Sequence, residues 1–301
     1  MEDMNESENF KSGYVSIVGR PNVGKSTFLN SVLGMKIAAV SNKPNTTRNK
    51  IQGIKNLDNA QIIFLDTPGM TQGKGVIGRS MVNVAMSSMY ESDILLMVVD
   101  VKDAFTISDR KIIESSDKPM ILLINKIDAF KKSRILRVIA QAQDYSDKLL
   151  EIIPVSALNS DGFDIVLETI CANLPYGPKY FSEDVITDQS ERFIASEIIR
   201  EKIFQLTQKE IPYRAAVVID EFEENPQKPI INISATVYVE RPNQKGIIIG
   251  NKGSMMKEIG TLARKDIEEL LGVKVFLEIW VKVKENWTSK EHLIKDFGYC
   301  N

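Results

Sequence analysis

Runs of apolar residues alternate with amphipathic stretches over the first half of the chain. Five segments are nearly continuous in Val, Ile and Leu, which predicts buried strands: "YVSIVG", "QIIFLD", "DILLMVVD", "PMILLIN" and "LEIIPVS". Between them, "KSTFLNSVLG" and "SRILRVIAQAQDYSDKLL" have the periodicity of helices. The alternation predicts an α/β domain over residues 12–174, with a mixed, mostly parallel sheet and helices on both faces.

The order of elements changes after "LPYGPKYF", where two prolines and a glycine predict a linker over residues 175–190. A long helix "SERFIASEIIREKIFQLTQ" then precedes the strands "YRAAVVIDEFEE" and "PIINISATVYVE". A short helix, a glycine loop, the helix "SMMKEIGTLARKDIEELLG" and the strand "VKVFLEIWVKVKE" complete the pattern. This α-β-β-α-α-β order predicts a small α+β domain over residues 191–286, followed by a C-terminal tail or helix at 287–301.

Composition excludes several classes of protein. Among 301 residues, 38 Lys and Arg against 40 Asp and Glu leave a net charge of −2, so any nucleic-acid surface must be local. Residues 1–11 are acidic and polar; we expect them to be disordered and to carry no signal peptide. The longest apolar runs are too short to span a bilayer. The two cysteines, Cys171 and Cys300, lie far apart, which favours a reducing, cytoplasmic compartment.

The segment "GRPNVGKST", Gly19 to Thr27, follows a predicted strand and precedes a helix, as a phosphate-binding loop does. Gly19 and Gly24 allow backbone N–H groups to approach phosphate oxygens, and the amino end of the helix favours an anion. In such loops the lysine, here Lys25, reaches the β- and γ-phosphates and the next hydroxyl, Ser26, binds Mg²⁺. The other interpretation, an ordinary glycine turn, does not explain this strand–loop–helix context.

Three further loops follow strands in a fixed order. "DTPG" places Asp66 where a nucleotide triphosphatase holds its second Mg²⁺ ligand, and "NKID" places Asp128 where a carboxylate accepts guanine N1–H and N2–H₂. "VSAL" offers a backbone N–H to guanine O6. Together with the phosphate loop they form the G1, G3, G4 and G5 boxes of a GTPase. The predicted nucleotide-binding residues are Gly19, Arg20, Pro21, Asn22, Val23, Gly24, Lys25, Ser26, Thr27, Asp66, Thr67, Pro68, Gly69, Met70, Asn125, Lys126, Ile127, Asp128, Ser156, Ala157 and Leu158.

A second glycine loop, "GNKG" at Gly250–Gly253, lies between two helical patterns. It follows no strand and does not end in GK[ST], so a second nucleotide site is not expected. A G-x-x-G turn between helices is the RNA clamp of KH domains, in which bare glycines let about four nucleotides approach closely. We predict RNA binding by Gly250, Asn251, Lys252 and Gly253, with positive charge from Lys245 and Lys257. A plain helix–turn–helix packing loop is the alternative.

These motifs together resemble the Era family of bacterial GTPases. The resemblance rests on "GRPNVGKSTFLNSVLG", "NTTRNKIQGI", "FLDTPGM" and "NKID" followed by the second glycine loop, and it covers residues 12 to 290. It implies a P-loop GTPase domain followed by a type II KH domain, with GTP, GDP and Mg²⁺ as ligands. It also implies a monomeric, cytoplasmic protein, peripheral to the inner membrane at most. Its expected partners are the 3′ end of 16S ribosomal RNA and the maturing 30S subunit.

In this family the effector loop supplies a threonine that binds Mg²⁺. Thr46 and Thr47 are both candidates, and Thr47 is favoured because it precedes the arginine. The predicted metal ligands are therefore Ser26, Thr47 and Asp66. Met70 stands where Ras has a water-orienting glutamine, so Asn22 and a K⁺ ion are candidates for stabilising the transition state. The predicted catalytic residues are Asn22, Lys25, Thr47 and Gly69.

Two other functions fit the same motifs. One is an RNA-binding module whose first domain binds nucleotide but hardly hydrolyses it, since Met70 cannot orient a water molecule. The other is a GTPase that acts on a different RNA or in a membrane-linked cell-cycle pathway. We also expect the γ-phosphate to order the loops at residues 36–50 and 70–79, which would couple nucleotide state to RNA affinity.

Overall fold

A computed structural model describes residues 9–70, 75–103 and 105–299. The disorder predicted for residues 1–8 and the nucleotide-dependent ordering predicted for residues 71–74 therefore concern residues outside the described ranges. Two compact units are present. The first lies within Met1–Ile37, Lys50–Thr71 and Val82–Asp188, and the second within Ala38–Asn49, Gln72–Met81 and Gln189–Asn301.

Strands and helices alternate along the chain before the order changes. The strands are β1 (Lys11–Val18), β2 (Ile51–Leu57), β3 (Ala60–Asp66), β4 (Ile94–Asp100), β5 (Met120–Asn125), β6 (Leu149–Val155), β7 (Ala216–Glu224), β8 (Ile230–Val239) and β9 (Lys274–Val283). The helices are α1 (Lys25–Leu33), α2 (Gly75–Glu91), α3 (Ile107–Glu114), α4 (Lys132–Ala142), α5 (Phe163–Asn173), α6 (Glu191–Leu206), α7 (Ile211–Arg214), α8 (Pro242–Ile249), α9 (Ser254–Leu271) and α10 (Glu291–Asp296).

The first unit is built on a six-stranded sheet among its described residues, in the order β2-β3-β1-β4-β5-β6. Only β2 runs antiparallel to its neighbour, so the predicted mixed, mostly parallel sheet is present. Every residue of β3, β4 and β5 is buried, as expected for parallel strands covered by helices on both faces. The carboxyl ends of β1, β3, β5 and β6 carry the four predicted loops, which places the candidate site at one edge of the sheet.

Two local expectations for this unit are corrected. β2 was not predicted as a strand, because "IQGIKNL" has too few apolar residues to stand out from a loop. The predicted helix from Ser133 to Leu150 is too long: α4 ends at Ala142, and Leu149 and Leu150 begin β6. The polar stretch between them interrupts the helical period, and the two leucines belong to the next apolar run.

The segment predicted as a linker covers the free edge of β2. The backbone N–H of Ile54 donates to Ile186 O (2.7 Å), and the Thr187 hydroxyl donates to Gln52 O (2.5 Å). Gln61 accepts the backbone N–H groups of residues 180 and 181 and donates to the carbonyl of residue 181. These hydrogen bonds satisfy backbone groups that an exposed edge strand would leave unpaired.

The second unit packs α6 and α9 on one face of a three-stranded sheet, β7-β8-β9. β7 and β8 are antiparallel, and β8 and β9 are parallel. This is the predicted α-β-β-α-α-β order, with one difference: Tyr213 and Arg214 end the short helix α7 instead of opening β7. Pro212 lies at the start of that helix, where a missing N–H costs no hydrogen bond.

The C-terminal segment is part of the core of the second unit. Trp287 is fully buried and packs in one cluster with Leu293, Ile294 and Tyr299. The ring of Phe297 stacks on Tyr238 of β8 with centroids 4.5 Å apart. The tail predicted at residues 287–301 therefore includes an ordered helix, α10, that stabilises this unit by burying aromatic surface.

Candidate functional site

The phosphate loop joins the end of β1 to the start of α1, and two of its glycines lie where no side chain fits. A Cβ on Gly19 (φ 144°) would lie 2.4 Å from Val98 O. A Cβ on Gly24 (φ 104°) would lie 2.1 Å from Nδ2 of Asn125. The loop thus presents bare backbone and the amino end of α1, which together favour an anion.

Lys25, the first residue of α1, is buried with only 6% of its surface exposed. Its Nζ donates to the carbonyl oxygens of Gly19 (3.2 Å) and Arg20 (3.1 Å). Burial lowers the pKa of Lys25 to about 8, although the charge of Asp66 acts in the opposite direction. A cation held so close to the phosphate loop can exchange these carbonyls for phosphate oxygens, which bind it more strongly.

Ser26 and Asp66, two of the predicted Mg²⁺ ligands, are in direct contact. The Ser26 hydroxyl donates to Oδ2 of Asp66 (2.6 Å), and Asp66 is fully buried at the end of β3. Hydroxyl and carboxylate oxygens are hard donors of the kind that Mg²⁺ prefers. The donor set therefore fits a magnesium ion beside the phosphate loop.

The DTPG loop packs directly on the phosphate loop. The backbone N–H of Met70 donates to Gly19 O (3.1 Å). A Cβ on Gly69 would lie 2.6 Å from a side-chain carbon of Pro21, so no other residue fits without a shift. The side chain of Met70 is partly buried against the hydrophobic cluster of β4 and β5, and it offers no polar group to a water molecule.

Asn125 ties the NKID loop to two other loops of the site. Its Nδ2 donates to Val23 O in the phosphate loop (2.8 Å). Its Oδ1 accepts the backbone N–H groups of Lys126 (2.8 Å) and Ala157 (2.9 Å). A single buried asparagine therefore brings the G1, G4 and G5 loops together.

The Asp128 carboxylate is exposed and is oriented by one hydrogen bond, since the Ser156 hydroxyl donates to its Oδ1 (2.6 Å). Ser156 itself is fully buried. A carboxylate fixed in this way keeps enough acceptor capacity to receive the N1–H and N2–H₂ groups of guanine. Leu158, the next predicted residue of that loop, is 75% exposed.

Asp100 is a site residue that the sequence analysis missed. It is buried at the end of β4, and its Oδ2 accepts from Nζ of Lys126 (2.7 Å). Lys126 also donates to Asn22 O in the phosphate loop (2.7 Å) and adopts a left-handed conformation, φ 72°. An aspartate at the carboxyl end of a fully buried strand was the available signal, because ligands of open α/β sheets bind there.

The effector-loop residues lie in the second unit, within Ala38–Asn49. Thr46 and Thr47 are both buried. The Thr46 hydroxyl donates to Lys43 O (2.8 Å), so this hydroxyl is engaged in a turn within the effector loop. This bond favours Thr47 over Thr46 as the predicted metal ligand.

The effector loop is fastened to the second unit by Arg48. This side chain is 3% exposed and donates to the carbonyl oxygens of Pro212 (3.1 Å), Tyr213 (3.1 Å) and Ala215 (2.9 Å). The guanidinium also lies within 6 Å of three aromatic rings, Phe204, Trp287 and Tyr299. Burial lowers the pKa of Arg48, and the charge remains because arginine is not deprotonated in proteins.

Helix α6 holds the other end of the same loop. The backbone N–H of Val40 donates to Oε2 of Glu201 (2.8 Å), and Gln205 donates to Val40 O (3.1 Å). Glu201 pairs with Lys202 (3.0 Å), which in turn pairs with Asp266 of α9 (2.5 Å). Hydrogen bonds and ion pairs therefore connect the effector loop to the helix that follows the second glycine loop.

The second glycine loop has the backbone that its sequence requires. Gly250 (φ 75°, ψ 177°) ends α8, and a Cβ there would lie 2.7 Å from the backbone of Met255. Lys252 and Gly253 are left-handed, with φ 49° and 80°. Asn251 and Lys252 are exposed, as predicted.

A groove of about 610 Å³ lies between α9 and β9 beside this loop. Lys257 and Arg264 contribute positive charge to its lining, and Phe276 lines it from β9. Lys245 is half-exposed and does not line the groove, and Arg264 was missed although it lies seven residues after Lys257 on the same face of α9. The lining thus combines apolar side chains with two basic ones, which suits the bases and phosphates of a single strand.

Comparisons with known proteins agree with a nucleotide-binding first unit and a KH-type second unit. Residues 14–126 match the family described as 50S ribosome-binding GTPase, and residues 210–288 match the KH domain family. The chain is 50% identical over 293 residues to GTPase Era of Syntrophus aciditrophicus, covering 96% of this chain and 95% of that protein.

Two solved structures are similar over nearly the whole chain. An Era variant of Aquifex aeolicus bound to GDP and AlF₄⁻ is 42% identical, with a TM-score of 0.93 over 97% of this chain and 100% of that one. An Era complex with MgGDPNP and nucleotides 1506–1542 of 16S ribosomal RNA gives the same identity, coverage and TM-score.

Proposed function

This chain belongs to the Era family of GTPases, and we propose that it is a GTP-hydrolysing switch that binds the 3′ end of 16S ribosomal RNA. In this role it assists 16S rRNA processing and assembly of the 30S subunit. One observation supports the proposal most: an Era protein similar over 97% of this chain forms a complex with MgGDPNP and that region of 16S rRNA. This chain has both the phosphate loop and the glycine-loop groove that such a complex needs.

The nucleotide is bound by loops at one edge of the first sheet. The backbone amides of residues 19–27 surround the phosphates, and Lys25 neutralises their charge from its buried position. Ser26 and Asp66, joined by a 2.6 Å hydrogen bond, are the residues that would hold Mg²⁺, and Thr47 would be the third protein ligand. When bound, the ion neutralises charge on the β- and γ-phosphate oxygens.

Guanine is selected by Asp128. Ser156 holds one carboxylate oxygen in place, so that the two acceptors meet N1–H and N2–H₂ without a large loss of side-chain entropy. Adenine presents neither group in that geometry and would leave the carboxylate unpaired. Asn125 and Lys126 position this loop against the phosphate loop.

Hydrolysis proceeds without a glutamine beside the γ-phosphate. Met70 packs into the hydrophobic cluster, so the attacking water is positioned by backbone groups such as the Gly69 N–H. Asn22, left-handed at φ 64° in the phosphate loop, is the residue that would hold a K⁺ ion, and that ion would stabilise charge developing in the transition state. Lys25 and Thr47 complete the catalytic set.

RNA binds along the groove between α9 and β9. Gly250 and Gly253 let the sugar–phosphate backbone approach the ends of α8 and α9. Lys252, Lys257 and Arg264 supply positive charge at this surface, although the net charge of the whole chain is −2.

The protein acts in the cytoplasm as a monomer, with at most peripheral contact with the inner membrane. None of the helices in the described part of the chain is long and apolar enough to cross a bilayer. The C-terminal segment, which is weakly amphipathic in sequence, buries Trp287, Leu293 and Ile294 in the second unit.

Crosslinking in cells followed by sequencing of the attached RNA tests the proposal. We expect crosslinked reads to concentrate at the 3′ end of 16S rRNA. The matched control replaces both exposed loop residues, Asn251→Asp and Lys252→Asp, which should remove these reads by charge repulsion while GTP hydrolysis without RNA persists. Reads that concentrate on another RNA, or that are unchanged in the control, would contradict the proposal.

Met70 favours one second candidate, a module that binds RNA and nucleotide but scarcely hydrolyses GTP. Single-turnover hydrolysis in potassium, with and without RNA, separates the two functions. If the protein is the proposed switch, RNA or the 30S particle should change its rate of GTP hydrolysis. A rate no faster than uncatalysed GTP hydrolysis in every condition would favour the second candidate.

A further inference from the structure

One face of the second sheet is left exposed by its helices. Alternate residues of β9 point to opposite faces, so Val275 and Val281 are buried on the face that packs against α9, while Phe276 and Trp280 point the other way. Trp280 is 58% exposed. Phe276 lines the groove proposed to bind RNA, whereas Trp280 is not among the described residues of that lining. Tryptophan is usually well covered, so an exposed one outside the groove indicates a separate contact surface.

Two glutamates lie beside Trp280 with a serine between them. Glu278 is two residues before Trp280 on β9 and points to the same face. Ser234 of β8 is in register with Glu278 on one side and with Glu221 of β7 on the other. Neighbouring strands are about 4.8 Å apart, so the two glutamates stand roughly 10 Å apart across a short side chain. A cation placed over the serine would be attracted by both carboxylates.

Two further acids extend this negative surface along β7. Glu223 lies two residues after Glu221 and points to the same face. Asp220 lies at the bulge of β7, and its Oδ2 accepts the hydroxyl of Thr236 (2.6 Å), the residue in register with Trp280. All of these acids are exposed. We define the outer patch as Asp220, Glu221, Glu223, Glu278 and Trp280.

The two lysines of β9 on this face offset little of that negative charge. Lys274 pairs with Glu268 of α9 (3.3 Å). Lys282 lies beyond Trp280, in register with Tyr238. Four carboxylates therefore surround one exposed aromatic ring. Such a surface repels the phosphates of a nucleic acid and attracts a cationic ligand.

We propose that the outer patch binds an extended, arginine-rich segment of a partner protein. A guanidinium makes a favourable cation–π contact with indole and forms paired hydrogen bonds with carboxylates. Alternate residues of an extended chain face the same way and recur at about 6.6 Å, which is the spacing of Glu278 and Trp280 on β9. A segment with arginine at alternate positions places one guanidinium on Trp280 and the next between Glu278 and Glu221.

The chemistry of the segment narrows the class of partner. Basic arms of this kind occur on proteins that themselves bind nucleic acid, because the arms neutralise phosphates. The outer patch offers such an arm carboxylates in place of phosphates, close to the groove at which RNA is proposed to bind. This contact goes beyond the proposed function, since it requires neither GTP nor the glycine loop.

A synthetic peptide of nine residues, alternating arginine and serine, tests the contact with the full chain by fluorescence anisotropy. Trp280→Ala should weaken its binding by about 2- to 30-fold, the usual value of one cation–π contact. Glu221→Gln combined with Glu278→Gln should weaken it by a similar factor. The matched control, Glu191→Gln with Glu269→Gln, removes two charges from exposed positions of α6 and α9 and should leave the affinity unchanged. A peptide of alternating glutamate and serine should not bind.

Intrinsic fluorescence provides an independent reading of the same contact. The chain has two tryptophans: Trp287 is fully buried, whereas Trp280 is exposed. The bound arginine peptide should therefore protect the wild-type emission from quenching by acrylamide. Trp280→Phe keeps a ring, so it should lose less affinity than Trp280→Ala while abolishing the protection. A peptide attracted to another acidic surface would give no protection.

Three results would overturn the outer patch. They are a wild type that does not bind the arginine peptide, a Trp280→Ala protein that binds it as the wild type does, and a control variant weakened as much as Glu221→Gln with Glu278→Gln. If Trp280→Ala instead weakens an eight-nucleotide single-stranded RNA and leaves the peptide unaffected, the ring belongs to RNA.

The outer patch and the proposed function can fail separately. The variant with Asn251→Asp and Lys252→Asp, in which RNA binding should be lost, should still bind the arginine peptide as the wild type does. A parallel loss of peptide binding in that variant would place the peptide in the groove and contradict the outer patch.

Discussion

Lys25 is a cation that the fold holds out of water beside the phosphate loop. Its side chain is 6% exposed, and its pKa is lowered to about 8 by burial. A bound triphosphate would raise that pKa again, because a nearby anion favours the charged form. Nucleotide binding is therefore linked to protonation of this residue.

We predict that triphosphate affinity decreases as the pH rises through about 8, and that binding at pH 8.5 takes up protons. Below the lowered pKa the lysine is already charged, so binding at pH 6.5 should take up none through this group. Calorimetry in two buffers of different ionisation enthalpy measures the uptake. Lys25→Arg is the matched control, since arginine stays charged throughout. Equal heats in both buffers at pH 8.5 would contradict this linkage.

Asp128 and Ser156 together set the preference for guanine. Asp128→Asn should weaken GTP binding by roughly 10- to 100-fold, through loss of charge-assisted hydrogen bonds. It should relatively favour xanthosine triphosphate, whose 2-oxo group can accept from the new amide. Ser156→Ala should cost about 2- to 10-fold, since it removes only the orienting hydroxyl. Competition binding measures all three, and a wild type that binds ATP as well as GTP would refute the guanine assignment.

We predict that GTP hydrolysis is accelerated by potassium and that this acceleration requires the Asn22 side chain. Hydrolysis is expected to be about ten-fold or more faster in potassium than in sodium of equal ionic strength. Asn22→Gly should erase the difference, because glycine keeps the left-handed backbone and removes only the amide side chain. Single-turnover rates provide the measurement. Identical wild-type rates in the two salts would leave Asn22 with a structural role only.

At the scale of elements, the glycine loop between α8 and α9 depends on one backbone conformation. Gly250, at φ 75° and ψ 177°, is in a region that only glycine adopts readily, and a Cβ would lie 2.7 Å from Met255. Gly246, in the middle of α8, has nothing within 4 Å of an added Cβ. Gly246 therefore has room for a side chain, whereas Gly250 does not.

We predict that Gly250→Ala destabilises the second unit by about 1–3 kcal/mol, from strain at a backbone position closed to alanine. Gly246→Ala should instead stabilise it by about 0.5–1 kcal/mol, since alanine is the better helix former. Both tryptophans belong to this unit, so denaturant unfolding followed by their fluorescence reports on it. Equal effects of the two substitutions would show that the loop backbone is not constrained as described.

Elements with a strong local signal were predictable from the sequence, and elements defined by their neighbours were not. The buried strands and the G-box loops carry continuous apolar runs and fixed spacings, so the sheet edge and most site residues could be named. β2 is a strand only because β3 and the linker pair with it. Asp100 acts through its hydrogen bond with Lys126, and Arg264 lines the groove together with residues of β9. Both sets of partners are distant in sequence.

The largest difference between sequence and structure concerns the effector loop. Its composition indicates a polar loop for Mg²⁺, but Arg48 is buried among aromatic rings and three carbonyl oxygens. Those partners come from residues more than 150 positions later in the chain. No local pattern in "PNTTRN" predicts such contacts.

At the scale of the whole molecule, the effector loop is a crossing between the two units. The chain passes from the first unit into the second at Ala38 and returns to the first after Asn49. The loop bears Thr47, the candidate γ-phosphate sensor, next to Arg48, which anchors it among the residues of the RNA-binding unit. Any rearrangement of the loop on nucleotide binding must therefore strain or relieve these contacts. Nucleotide state and RNA affinity should share a coupling free energy, typically about 1–3 kcal/mol.

The most direct measurement is the affinity of an RNA from the 3′ end of 16S rRNA, by fluorescence anisotropy, for the protein loaded with either GDP or a non-hydrolysable GTP analogue. We predict tighter binding in the analogue state by roughly 5- to 150-fold, and an equal tightening of the analogue relative to GDP by RNA. Arg48→Lys, which keeps the charge but loses the planar guanidinium that lies against three aromatic rings, should reduce the difference. RNA affinities that agree within error in the two nucleotide states would contradict the switch.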